Sequence, residues 1–162
     1  MHPKESGDPL NVAIDTCAVD AISATPGAED TLYEAVVAGR LRLFFTHVQL
    51  RELSNITDPE IRLQRLLTLV RLGTYELAAV AVLTEDGTGC ILGHTKLGDP
   101  EVYESMVENA TTEKHVSDGI IAATAGAGDR LLLTAELKRL RNRGSAAGLT
   151  VVSVAELLHR LT

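Results

Sequence analysis

Apolar positions in this chain follow two periods that alternate along its length, and the alternation predicts an architecture. Short apolar runs at Leu10–Ile14, 41–46, 130–134 and 149–153 read as strands, the first too continuously apolar to be half-exposed. Between them the apolar residues recur at helical spacing. A helix near 28–38 places Leu32, Val36 and Val37 on one face and stops at Gly39. Thr46 ends the second strand and is placed to cap a helix carrying Leu50, Glu52 and Leu53. Asp58-Pro59-Glu60 opens the next helix, with proline in its first turn and acids at its positive end. Ile61, Leu63, Leu66, Leu67, Val70 and Leu72 give that helix a broad apolar face. Asp99-Pro100-Glu101 starts another helix through about Ala110, and further helices follow over 118–126, 135–143 and 154–161. Gly126-Ala127-Gly128-Asp129 follows a helix rather than a strand and reads as a helix stop. Helices alternating with buried strands predict an α/β fold, a three-layer α/β/α sandwich around a central parallel sheet.

One segment departs from the alternation. Runs at 78–83 and 90–92 flank Glu85-Asp86-Gly87-Thr88-Gly89, and Asp-Gly between apolar runs predicts a hairpin-like elaboration over about 73–98. Residues 1–9 are polar and read as a flexible arm, leaving 10–162 as a single domain.

Composition narrows the picture. With 162 residues, one domain can bury a substantial core. Aromatic residues make up only 3% and Trp is absent, so Leu, Val, Ile and Ala must fill the interior. A net charge of −7 argues against broad, non-specific affinity for nucleic acid, though it leaves room for a local basic rim. Cys17 and Cys90 make no disulfide framework and have no zinc-binding spacing, so free thiols in a reducing cytoplasm are expected. The polar start lacks a signal-peptide apolar region and no apolar stretch is long enough to span a bilayer, so the expectation is a cytoplasmic protein without a membrane segment.

The candidate chemistry lies in four acids. Asp15 ends the run Val12-Ala13-Ile14, and Glu52 sits one or two turns into the helix after the second strand. Asp118 opens the predicted helix at 118–126, and Glu136 follows Leu131-Leu132-Leu133-Thr134. Singly each has an ordinary explanation: a helix cap for Asp15 and Asp118, a helix-dipole partner for Glu136, a solvated side chain for Glu52. Functional groups in open parallel sheets, however, collect beyond the C-terminal strand ends, where these acids are expected to meet. Two carboxylates about 5 Å apart at an effective dielectric near 20 repel by roughly 3 kcal/mol. Three such contacts cost on the order of 10 kcal/mol, comparable with the stability of a whole domain. Clustered acids therefore need a proton, a basic partner or a divalent cation. All-oxygen ligands favour Mg²⁺ or Mn²⁺ over zinc, and such a site suits hydrolysis of phosphodiesters.

Four stretches in this order resemble the PIN-domain nucleases, especially the VapC-type toxins of bacterial toxin–antitoxin pairs. They are Val12-Ala13-Ile14-Asp15-Thr16, Gln49-Leu50-Arg51-Glu52-Leu53, Ser117-Asp118-Gly119-Ile120-Ile121-Ala122-Ala123-Thr124-Ala125 and Leu132-Leu133-Thr134-Ala135-Glu136. The resemblance spans residues 10–153 and implies a PIN-like parallel sheet between helices and Mg²⁺- or Mn²⁺-dependent endoribonuclease activity. By position Asp15, Glu52 and Asp118 match the family's metal-binding acids, while Glu136 stands where the family usually carries aspartate. Thr16 matches the small hydroxyl residue after the first aspartate, and Thr134 the threonine before the last acid; either can orient a carboxylate or a water. The partners implied are an RNA substrate, an antitoxin and, as is common in such proteins, a second copy in a homodimer.

Arg51 beside Glu52, and Lys138, Arg139, Arg141 and Arg143 after Glu136, read as a phosphate-contacting rim, although a solvated helix face explains the latter group equally well. With so few aromatics, base stacking contributes little, and single-stranded RNA must be held by its backbone and shape. Two other readings compete with a toxin: a non-catalytic PIN-like module that binds RNA or protein, and a housekeeping RNA-processing nuclease. A phosphoacceptor domain fits poorly, because the acidic pair after the first strand and a well-placed lysine are missing.

Overall fold

The computed structural model describes residues 8–80, 95–97, 113–128, 130–136, 144 and 148–162. Its strands are β1 (Leu10–Ile14), β2 (Leu41–Phe45), β3 (Gly73–Tyr75), β4 (Ala78–Val80), β5 (Thr95–Leu97), β6 (Leu131–Leu133) and β7 (Val151–Val152). Its helices are α1 (Thr16–Ala24), α2 (Ala28–Val37), α3 (His47–Ser54), α4 (Pro59–Leu72), α5 (Glu113–Ala127) and α6 (Val154–Leu161). Five strands form one sheet in the order β3-β2-β1-β6-β7, every pair parallel. Parallel neighbours require crossover connections, which α1 and α2 supply between β1 and β2 and α3 and α4 between β2 and β3.

The two-residue period of the strands sorts their side chains between two cores. From β1, Val12 and Ile14 enter a cluster with Ile22 of α1, Leu32 of α2, Leu69 of α4 and Leu157 of α6. Ala13 points the other way, into a cluster with Leu132 of β6 and Ile120, Ala122 and Ala123 of α5. The sheet is thus buried on both faces, which makes the three-layer sandwich, and a strand such as β1 can be apolar at consecutive positions. Full burial of one Leu or Ile contributes about 1.5–3 kcal/mol, so these residues carry much of the fold's stability.

Local chemistry sets the helix boundaries. Helix α2 ends in a Schellman arrangement: Gly39 takes φ 70°, its N–H donates to the Val36 carbonyl at 3.0 Å, and the Arg40 N–H donates to the Ala35 carbonyl at 2.9 Å. Asp58 caps α4 by accepting from the Glu60 and Ile61 N–H groups at 2.9 and 3.1 Å, with Pro59 in the first turn. Ser153 and Glu156 form a reciprocal capping box on α6.

Three expectations need correction. Helix α5 begins at Glu113, so Asp118 lies in its second turn and cannot cap it. The residues before Asp118 include good helix formers and no breaker, so the helix starts earlier than the apolar run. Helix α4 turns Thr68, Leu69 and Leu72 inward, while Ile61, Leu63, Leu67 and Val70 are exposed. The helix is apolar around more of its circumference than one packing face can cover. Val37, expected to share the inner face of α2, is 69% exposed. Elsewhere Gly73–Tyr75 is an edge strand of the main sheet, and β4 pairs with β5 in parallel. The turn at 85–89 and the helices expected at 99–110 and 137–143 lie outside the described residues. Among the described residues no helix is long and apolar enough to cross a membrane.

Candidate active site

Register explains how the first acid is placed. Ile14 of β1 pairs with Leu133 of β6, so the next residues, Asp15 and Thr134, emerge side by side at the C-terminal end of these central strands. The Asp15 N–H extends the ladder by donating to the Leu133 carbonyl at 2.8 Å. Asp15 occupies the N-cap position of α1, yet its side chain makes no capping hydrogen bond. Its Oδ2 instead accepts from the Thr134 hydroxyl at 2.7 Å and from the Cys17 thiol at 2.9 Å. The capping explanation for Asp15 therefore does not account for its orientation.

The two donors are themselves held by the loop after β6. The Thr134 Oγ1 accepts the Glu136 N–H at 3.0 Å, and the Cys17 Sγ accepts the Ala135 N–H at 3.3 Å. Asp15 is 5% exposed and Thr134 is fully buried. Burial first, then the charge of Asp15 and the hydrogen bond to it, push the Cys17 thiol from an ordinary 9.0 up to about 12. At neutral pH Cys17 is a neutral donor, not a thiolate.

A second set of bonds fixes the helix that carries Glu52. Gln49 donates from Nε2 to the Ile14 carbonyl at 2.6 Å, while its Oε1 accepts from the Thr46 N–H at 2.9 Å and the Thr46 hydroxyl at 2.7 Å. The end of β1 is thereby tied to the start of α3. Glu52 follows three residues after Gln49, and neighbours at that spacing share a helix face. Its carboxylate accepts a hydrogen bond from the Thr16 hydroxyl at the start of α1. Asp20, one turn further along α1, pairs with Arg65 of α4 at 2.5 Å.

These elements enclose a cleft of about 200 Å³ lined by Asp15, Thr16, Cys17, Asp20, Glu52, Asp118 and Glu136. All four acids singled out in the sequence reach it, together with Thr16, while Thr134 stands behind Asp15. From the sequence Cys17 reads only as a free thiol, and Asp20 is not singled out at all. Asp20 had a legible signal, because it lies four residues from Thr16 on one helix face. Cys17 had only its place two residues after Asp15, because its contacts with Thr134 and Ala135 reach across the fold. Arg51 is exposed on α3 and does not line the cleft. Lys138, Arg139 and Arg141 lie outside the described residues.

The donor set is hard oxygen plus one protonated thiol, which fits Mg²⁺ or Mn²⁺ better than zinc. Among the described residues, however, no three His, Cys, Asp or Glu side chains form a group that could hold one ion. Magnesium does not require such a group: it keeps several waters and is often held by one or two carboxylates. The cleft thus fits a hydrated hard cation rather than a closed protein cage.

No protein-family model matches the sequence, and no curated protein matches it either. Among solved structures the chain is similar to the crystal structure of PAE2754 from Pyrobaculum aerophilum, with a TM-score of 0.54 and 16% identity over 96% of this chain and 92% of that one. It also matches the crystal structure of FitAcB from Neisseria gonorrhoeae, with a TM-score of 0.42 and 15% identity over 89% of this chain and 98% of that one. The first likeness is one of fold. With five parallel strands and helices on both faces, the chain has a PIN-like α/β/α fold.

Proposed function

We propose that this protein is a Mg²⁺- or Mn²⁺-dependent endoribonuclease, the toxin of a toxin–antitoxin pair. The observation that carries the reading is the convergence of Asp15, Glu52, Asp118 and Glu136 on one cleft, with Asp15 held from behind rather than used as a helix cap. A bound divalent cation supplies charge compensation at the scissile phosphate and activation of water. Asp15 and Asp118, both nearly buried, are the residues to hold it. Glu52, steadied by the Thr16 hydroxyl, and Glu136, on the loop after β6, hold and orient water at the more open side. Arg51, exposed and next to Glu52 along α3, is the residue to contact substrate phosphate.

The test is cleavage of a single-stranded RNA oligonucleotide by the purified chain with Mn²⁺ added, alongside Asp15→Asn. Activity in the wild type and its loss in the variant support the reading; equal rates in the two defeat it. The exposed apolar residues Leu63, Leu67 and Val70 of α4 suit the antitoxin expected from the sequence resemblance, since a partner helix would cover them.

One observation favours a second reading, a non-catalytic PIN-like module: no three acids are drawn together around a single point among the described residues. Calorimetry showing no divalent-ion binding while RNA or protein binding persists selects this module over the nuclease. Cleavage without toxicity in cells selects a housekeeping RNA-processing nuclease.

A further inference from the structure

Two relays run from the loop after β6 to the same carboxylate oxygen. One passes from the Glu136 N–H through the Thr134 hydroxyl to Asp15 Oδ2, and the other from the Ala135 N–H through the Cys17 thiol to that same atom. The relays also touch, since Cys17 Sγ and Thr134 Oγ1 lie 3.2 Å apart. Asp15 Oδ1 makes no hydrogen bond among the described residues, and Asp15 lines the cleft. One oxygen is therefore anchored twice and the other is left for a ligand.

A single anchor would allow the carboxylate plane to swing about its terminal torsion, which is intrinsically broad for Asp. Two anchors from different elements, one on α1 and one after β6, fix both the plane and which oxygen faces outward. They also couple the position of Asp15 to the loop that carries Glu136. Cys17 supplies one of these anchors while adding no charge to a cleft that already holds five carboxylates, those of Asp15, Asp20, Glu52, Asp118 and Glu136.

We infer that Cys17 is a positioning residue: its thiol orients the Asp15 carboxylate and ties it to the Glu136 loop, so that cation affinity depends on a side chain that is not itself a ligand. The inference rests on the nuclease reading for the identity of what Asp15 holds. Partners that orient a metal-binding carboxylate are typically worth 10- to 100-fold in metal affinity.

The experiment is Mn²⁺ binding, followed by the electron paramagnetic resonance of free Mn²⁺, for wild type, Cys17→Ala, Cys17→Ser and the volume-matched Cys17→Val. Melting temperatures are measured on the same samples. Cys17→Ala and Cys17→Val should weaken Mn²⁺ binding about tenfold, with Cys17→Ser within about threefold of wild type because a hydroxyl can donate and accept along the same path. If Cys17→Ala fails to fold, Cys17→Val against Cys17→Ser makes the same comparison. Equal affinity in all four proteins overturns the role of Cys17 while leaving the nuclease reading intact. A loss in Cys17→Ser as large as in Cys17→Val also overturns it, since packing rather than hydrogen bonding would then be responsible. A wild type that binds no Mn²⁺ overturns the nuclease reading, and this inference with it.

Discussion

The floor and the rim of the cleft are built differently. On the floor, Asp15, Thr134 and Asp118 are all below a tenth exposed, and Asp15 is fixed by strand register together with two side-chain donors. At the rim, Glu52 and Glu136 are half-buried and Asp20 is exposed. Glu52 leans on a hydroxyl from another helix, and Asp20 on an arginine. A residue next to a paired strand inherits its place from the backbone ladder. Glu52, on a helix surface, must be placed by its own longer side chain, at a cost in rotamer freedom. The floor is suited to holding something in one geometry and the rim to adapting around it.

The largest expected effect tests this contrast directly. Asp15→Asn should lower the Mn²⁺-dependent cleavage rate by about a thousandfold or more, as expected when a charge acting on the transition state is lost. Glu136→Gln should cost only about tenfold, on the scale of an indirect partner. Equal losses for the two substitutions in the same rate assay would erase the distinction between floor and rim. Stability should divide in the same way. Leu133→Ala, beneath the floor, should cost about 2–5 kcal/mol in denaturant unfolding, whereas Leu67→Ala, on the exposed face of α4, should stay within about 0.5 kcal/mol.

Smaller effects sharpen the comparison. Thr134→Val deprives both the Glu136 N–H and Asp15 Oδ2 of a buried partner and should cost about 1–3 kcal/mol. Thr16→Val removes one hydrogen bond at the rim, where water can replace it, and should cost less than about 1 kcal/mol in the same unfolding experiment. Arg51→Ala should leave stability unchanged and reduce the salt slope of RNA affinity by about one, read by fluorescence anisotropy at several salt concentrations.

All four acids, on floor and rim alike, were legible in the sequence, whereas what holds them in place was not. The run before Asp15 could only be a buried strand, and such a strand places its next residue beyond its C-terminal end. Helix α6 was readable from residue 154 to 161 because Ser153 and Glu156 mark its start chemically. The exposed apolar stripe of α4 misled for a physical reason. Periodicity records where apolar residues lie on a helix, while burial depends on which neighbours arrive to cover them. The contact of Cys17 with Thr134 was invisible because the two are 117 positions apart, and no local pattern encodes such a contact.

That separation has a temporal meaning. Asp15 and the hydroxyl that steadies it are 119 positions apart, joined through neighbouring strands that are distant in sequence. While the polypeptide is still being made, the segment carrying Asp15 and Glu52 can emerge from the ribosome with no finished pocket. The order of strands in the sheet thus works as a delay, keeping the site incomplete until the segment carrying β6 has been made.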